Sequence, residues 1–194
     1  MHQVIGLLAF AFAGSVSPGP NNTLLWASGM RFGFAAATPH VVGTAIGIGA
    51  LFVGVAAGIG VAIQAVPALE AVLKVLGSVY LLVLAYLVLG SGTIGGTHVS
   101  HPLGLWQATA FQFVNPKAWI FAIAAVGTFF PADARPVRVG LLTGAVMVVV
   151  VGSSAIWAAG GAMLGRVIEN ERTLRVANIV LAVLLVASVV LIWV

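Results

Sequence analysis

Long apolar stretches separated by short polar breaks run through the whole chain. They predict six helices, from about Gln3 to Met30, Phe34 to Ile63, Leu69 to Leu89, Leu103 to Phe130, Val137 to Leu164 and Thr173 to Trp193. At about 1.5 Å per residue, each can cross a hydrocarbon core of about 30 Å. Arg31-Phe32-Gly33 is a sharp turn, and Gln64 to Glu70, Pro131 to Pro136 and Gly165 to Arg172 are short loops. The longest polar stretch, Gly90 to Pro102 with His98 and His101, reads as a linker. Two apolar segments are interrupted internally. The first breaks at Ser17-Pro18-Gly19-Pro20-Asn21-Asn22 and the fourth at Val114-Asn115-Pro116-Lys117. In lipid, a proline, an amide and a charge at mid-span are tolerated only where they face protein or a water-filled cavity.

The six segments fall into two sets of three. Each set opens with a long helix broken near its middle, continues through a turn into a long glycine-rich helix, and closes with a compact helix. Pro18 and Pro116 stand 98 positions apart. The repeat is one of organisation, not of identity. Three spans per repeat invert the second copy, and paired broken helices in an inverted repeat are a transporter architecture with its site near the midplane. The expectation is an all-α integral membrane protein. Its six transmembrane helices form two inverted three-helix repeats in one domain over 1–194: repeat one about 1–90, linker about 91–102, repeat two about 103–194. Gly43/Gly47, Ala50/Gly54 and Gly54/Gly58 are small-xxx-small pairs that let helix backbones approach closely in membranes.

Composition agrees with the pattern. Hydrophobic residues make up 61% of the chain and charged residues 6%, against roughly 25% charged in soluble domains. The net charge of +4 is scattered, so loops and lipid headgroups account for it better than nucleic acid does. The expected partners are the lipid bilayer and a small-molecule substrate. A homodimer is compatible with the pattern. There is no cysteine, which excludes a thiolate metal site and a disulfide framework. Residues 3–16 have no Lys or Arg before them and continue into the break, so they read as the first helix and not as a cleaved leader. Six spans put both termini on one side, and the loop charges favour the outside by a single residue.

The chemistry lies in the breaks. Asn115 is a strong N-cap residue and Pro116 suits the first helical position. The half-helix after the break therefore aims first-turn N–H groups and a positive dipole end into the bundle, with the Lys117 charge in the same turn. Ser17-Pro18 reads the same way, with Gly19 giving close backbone access, Pro20 completing the break, and Asn21 and Asn22 supplying amide oxygens for an ammonium group. One carboxylate and one ammonium in a small apolar cage describe an amino acid. Ser17, Pro18, Gly19, Pro20, Asn21, Asn22, Asn115, Pro116 and Lys117 are thus the candidate substrate-binding residues. The bland alternative is that each break is a packed kink, or that Lys117 snorkels to a headgroup. His40 is a candidate carrier of a coupling proton, although a hydrogen-bonded structural histidine is the commoner case. His98 and His101 read as linker residues, and Trp26, Trp106, Trp157 and Trp193 as interface or packing aromatics. Gln107 and Gln112 precede the second break and either line the cavity or bond a neighbouring helix.

Ser17-Pro18-Gly19-Pro20-Asn21, Arg31-x-Gly33, Gly43-x-x-x-Gly47 and Asn115-Pro116-Lys117 followed by Phe121 together resemble the LysE/RhtB amino-acid exporter superfamily. That resemblance implies a multi-pass bacterial inner-membrane carrier that exports amino acids or close derivatives, with Pro18, Gly19, Pro20, Asn115, Pro116 and Lys117 as functional positions and no cofactor. The sequence departs from the family pattern in two places. Its second helix carries no acidic residue, and its linker holds histidines in place of Lys and Arg. With no acid inside any span, a cationic cargo lacks a partner, and neutral amino acids are favoured. A small-ion or metal channel would need rings of carboxylates or His/Cys clusters in the spans. A non-transporting membrane subunit would not require paired breaks. An enzyme would need a nucleophile–base set that the spans lack.

Overall fold

A computed structural model describes residues 2–60, 67–90, 101–131, 133–167 and 171–193. Every described element is a helix: α1 (His2–Val16), α2 (Pro20–Phe32), α3 (Phe34–Ala56), α4 (Pro67–Gly90), α5 (Leu105–Val114), α6 (Pro116–Phe129), α7 (Pro136–Val167) and α8 (Glu171–Trp193). α3 and α7 are each long and apolar enough to cross a membrane, and α1 with α2 also qualifies if counted as one span bent by 60°. The linker expected at 91–102 lies largely outside the described residues. Of the loop expected from Gln64 to Glu70, positions 64–66 lie outside them, and Pro67 to Glu70 instead form the first turn of α4, with proline at the helix start where its missing N–H costs nothing.

Both internal breaks are present, but the first is built differently from the sequence expectation. Gly19, not Ser17, occupies the N-cap position of α2, and Pro20, not Pro18, is its first residue. Ser17 instead closes α1, its hydroxyl donating to Gly14 O at 2.9 Å. Both Ser-Pro and Gly-Pro satisfy the capping preference, and the structure uses the later pair. At the second break Asn115 is the N-cap position and Pro116 the first residue of α6, although Asn115 makes no side-chain capping bond. Gly33, at φ +83°, turns α2 into α3 within one residue, a left-handed conformation that favours glycine. Gly58, at φ +99°, follows the end of α3, where Ala57 N and Gly58 N bond to Val53 O and Val55 O. The helix expected to reach Ile63 therefore stops at Ala56.

In a bilayer, helices are held together by close packing and interhelical hydrogen bonds, because lipid is as apolar as leucine. α1 and α2 pack on α7, α5 and α6 pack on α3, α3 crosses α7, and α4 pairs with α8. Glycine sets the closest approaches. Backbone atoms of Trp26 and Met30 on α2 abut Gly161 and Gly165 on α7, and Gly29 faces Ala158 O. Gly43 and Gly47 of α3, expected as packing residues, receive α5: Gly43 faces Leu105 O and Gly47 faces Thr109 O and the Gln112 side chain. Thr109 Oγ1 donates to Gly43 O at 3.0 Å across that contact. The rings of Phe10, Phe52, Phe121 and Phe130 fill the space among α1, α3 and α6. The outward faces of α4, α7 and α8 expose valine, leucine and isoleucine, as lipid-facing surfaces do.

Candidate functional site

The two breaks meet. Where α1 stops at Val16, its last carbonyls have no helical partners and must be satisfied from elsewhere. Three elements supply the donors. Asn22 Nδ2 of α2 donates to Ser15 O at 2.7 Å and Ser17 O at 2.8 Å. Trp157 Nε1 of α7 donates to Val16 O at 3.1 Å. Lys117 Nζ of α6 donates to Ser17 O and Ser17 Oγ, both at 2.8 Å, and to Pro18 O at 3.1 Å. The charge expected at mid-span thus bridges one break to the other.

Beside this junction a second, buried set of polar side chains joins the halves. Asn21 Oδ1 accepts from Gln112 Nε2 at 2.9 Å and from Thr44 Oγ1 at 3.1 Å. Gln112 Oε1 lies 3.5 Å from Asn115 Nδ2. Asn115 Oδ1 is buried and has no hydrogen-bond partner among the described residues. A buried, unused acceptor in an otherwise satisfied network invites a donor from outside the chain.

These groups line a small open cleft with a cavity volume of about 50 Å³. Gly19, Asn21, Asn22, Asn115 and Lys117 line it together with Thr44 and Gln112, and Ile48, Phe121 and Val150 form apolar wall. Lys117 is the only charged group among these lining residues. The chain's four acids, at positions 70, 133, 169 and 171, all lie outside the segments that line it. Nor do the described residues contain a group of three or more His, Cys, Asp or Glu that could hold a metal.

Of the sequence-derived candidates, five line the cleft directly. Ser17 contributes through its bonds to Lys117, while Pro18, Pro20 and Pro116 shape the breaks from outside the lining. His40 does not reach the cleft. It is wholly buried, with Nδ1 3.4 Å from Ser28 Oγ and Nε2 without a partner among the described residues. Gln112, expected either to line the cavity or to bond a neighbouring helix, does both, one turn before Asn115 on the same face. Thr44 was not singled out by the sequence, although it lies one turn after His40 beside Gly43, where helical spacing could have found it. Gln107, by contrast, is exposed and accepts from Gly104 N at 3.0 Å.

Proteins called cysteine/O-acetylserine efflux protein, in Escherichia coli, Shigella flexneri and Shigella sonnei, are 29% identical over 184 residues, covering 92% of this chain and 91% of theirs. No solved structure matches the chain. The family model described as LysE type translocator matches residues 12–192. This membrane chain, a transporter of small molecules and not an enzyme, belongs to the LysE type translocator family.

Proposed function

We propose that this chain is a secondary transporter that exports neutral amino acids, or close derivatives, across the bacterial inner membrane, and that its cargo binds where the two breaks meet. The observation that carries the reading is the pairing of opposite needs in one cleft. The Lys117 cation and the unused Asn115 Oδ1 acceptor line the same space, with no acid beside them. A zwitterion answers both. Its ammonium donates to Asn115 Oδ1. Its carboxylate meets Lys117 and the first-turn N–H groups that α2 and α6 direct toward the break. Ile48, Phe121 and Val150 accept an uncharged side chain. A cationic side chain would find no carboxylate there. The efflux relatives carry cargo of this type in their names, a small uncharged amino acid and an acetylated one.

Six spans in two inverted repeats are part of the same proposal. The breaks are 98 positions apart. The packing also exchanges partners across the halves: α1 and α2 of the first pack on α7 of the second, α5 and α6 of the second pack on α3 of the first, and α4 pairs with α8. A two-fold relation between the halves accounts for these pairings. Rocking of one half against the other about the shared site then gives alternating access. A coupling proton has His40 and Lys117 as its interior carriers.

The test is amino-acid release from cells preloaded with a panel of dipeptides, comparing this chain, Lys117→Ala at matched expression and an empty vector. Faster release of a few neutral amino acids by the unaltered chain alone is expected. Release of none, from a protein shown to reach the membrane, would overturn the reading.

A further inference from the structure

We infer that the broken end of α1 is a monovalent-cation site which the chain fills with its own Lys117 ammonium. The ammonium has three donors and the site offers three oxygens: Ser17 O, Ser17 Oγ and Pro18 O, at 2.8, 2.8 and 3.1 Å. The hydroxyl is turned for this role, because it donates to Gly14 O and so leaves its lone pairs to Lys117. Every acceptor is neutral. The negative end of the α1 dipole and two carbonyls hold the charge, much as carbonyls hold a bare ion at an unwound helix. Glycine makes the room. A Cβ on Gly19 would stand 2.9 Å from Lys117 Cδ and 3.0 Å from Nζ. Gly19 has φ 173° and ψ 177°, extended backbone that any residue adopts, so it is clearance for the lysine and not backbone strain that favours glycine here.

The cage goes beyond the export reading, and one consequence links the two. A carboxylate binds an ammonium more strongly than neutral carbonyls do. A cargo carboxylate would therefore draw Lys117 off the end of α1 and loosen the tie between the breaks. An amine or ester lacking that carboxylate would leave the tie closed.

The closing experiment uses no cargo, so its failure and failure of the export reading are separate events. Thermal unfolding of the purified protein is followed in methylammonium chloride and in choline chloride at equal ionic strength. Methylammonium reproduces the tip of the lysine with its N–H donors, whereas choline, a quaternary ammonium, carries the same charge with no N–H to donate. Lys117→Ala is expected to unfold at a lower temperature and to regain about 2–4 °C, saturably, in methylammonium only. Lys117→Met, which keeps a carbon chain in the space, and the unaltered protein are expected to show no such preference. Adding Ser17→Ala to Lys117→Ala should weaken the methylammonium response. Equal responses to the two salts in Lys117→Ala would overturn the cage. Gly19→Ala provides a second arm that keeps the lysine in place. The chain has two lysines, 74 and 117, so acylation of Lys117 can be normalised to Lys74 by mass spectrometry. Gly19→Ala should raise Lys117 labelling several-fold, and an unchanged ratio would equally overturn the proposal.

Discussion

The bond between Asn21 and Gln112 ties the first broken helix to the second, and its strength can be measured. Asn21→Leu keeps the side-chain volume and deletes the acceptor of Gln112 Nε2 at 2.9 Å and Thr44 Oγ1 at 3.1 Å. Neither donor is orphaned by the change. Gln112 Nε2 still reaches Ala108 O at 3.2 Å, and the Thr44 hydroxyl still reaches His40 O at 2.9 Å. The loss should therefore be near the value of an interhelical membrane bond, about 0.6–1.7 kcal/mol, and below the roughly 1–3 kcal/mol of a stranded buried group. Gln112→Met removes the other partner while keeping the packing of its side chain against Gly47. The two exchanges and their combination form a double-mutant cycle, read by reversible unfolding in mixed micelles. We expect a coupling of about 1 kcal/mol, close to fivefold in the folding equilibrium. Strict additivity, with a coupling below about 0.3 kcal/mol, would show that this contact does not join the halves.

Other outcomes follow from the same geometry. Pro18→Ala alone should reduce transport modestly, because Pro20 still starts α2, whereas the double exchange with Pro20→Ala should abolish it by letting α1 run into α2; full activity in the double variant would demote the break to packing. Gly161→Ala places a methyl against Trp26 O, a backbone atom that cannot swing away, and should lower the unfolding temperature by several degrees, while Gly144→Ala, with nothing within 4 Å, should leave it unchanged. Single cysteines at Phe32 and Arg166 in this cysteine-free chain should react with an impermeant maleimide from the same side of the membrane, and one at Asp133 from the opposite side; any other pattern would contradict two inverted repeats.

The breaks were legible because few residues have so narrow a set of uses. Asn-Pro and Gly-Pro inside an apolar run mark a helix start wherever they fall. The finer choices were not legible, for physical reasons. Ser17-Pro18 and Gly19-Pro20 both satisfy a helix N-terminus, and tertiary packing selects the second by turning Ser17 toward Lys117. Glycines crowd the second predicted helix, so nothing local marks Gly58 as the one that takes positive φ and stops α3 at Ala56. Trp157 looks like an interface aromatic, yet its indole caps Val16 O, a contact 141 positions away that periodicity cannot show. The partners of Lys117 belong to the same class. Sequence places a charge at mid-span, but only the fold places it on the end of α1.

Counterflow in proteoliposomes holding only the purified chain tests the central claim most directly. Vesicles loaded with an unlabelled neutral amino acid should accumulate the labelled form, and Asn115→Leu, folded to the same unfolding temperature, should not. Exchange that survives in Asn115→Leu would put the cargo elsewhere than the meeting point of the breaks. No exchange of any amino acid by the folded chain would contradict the account as a whole.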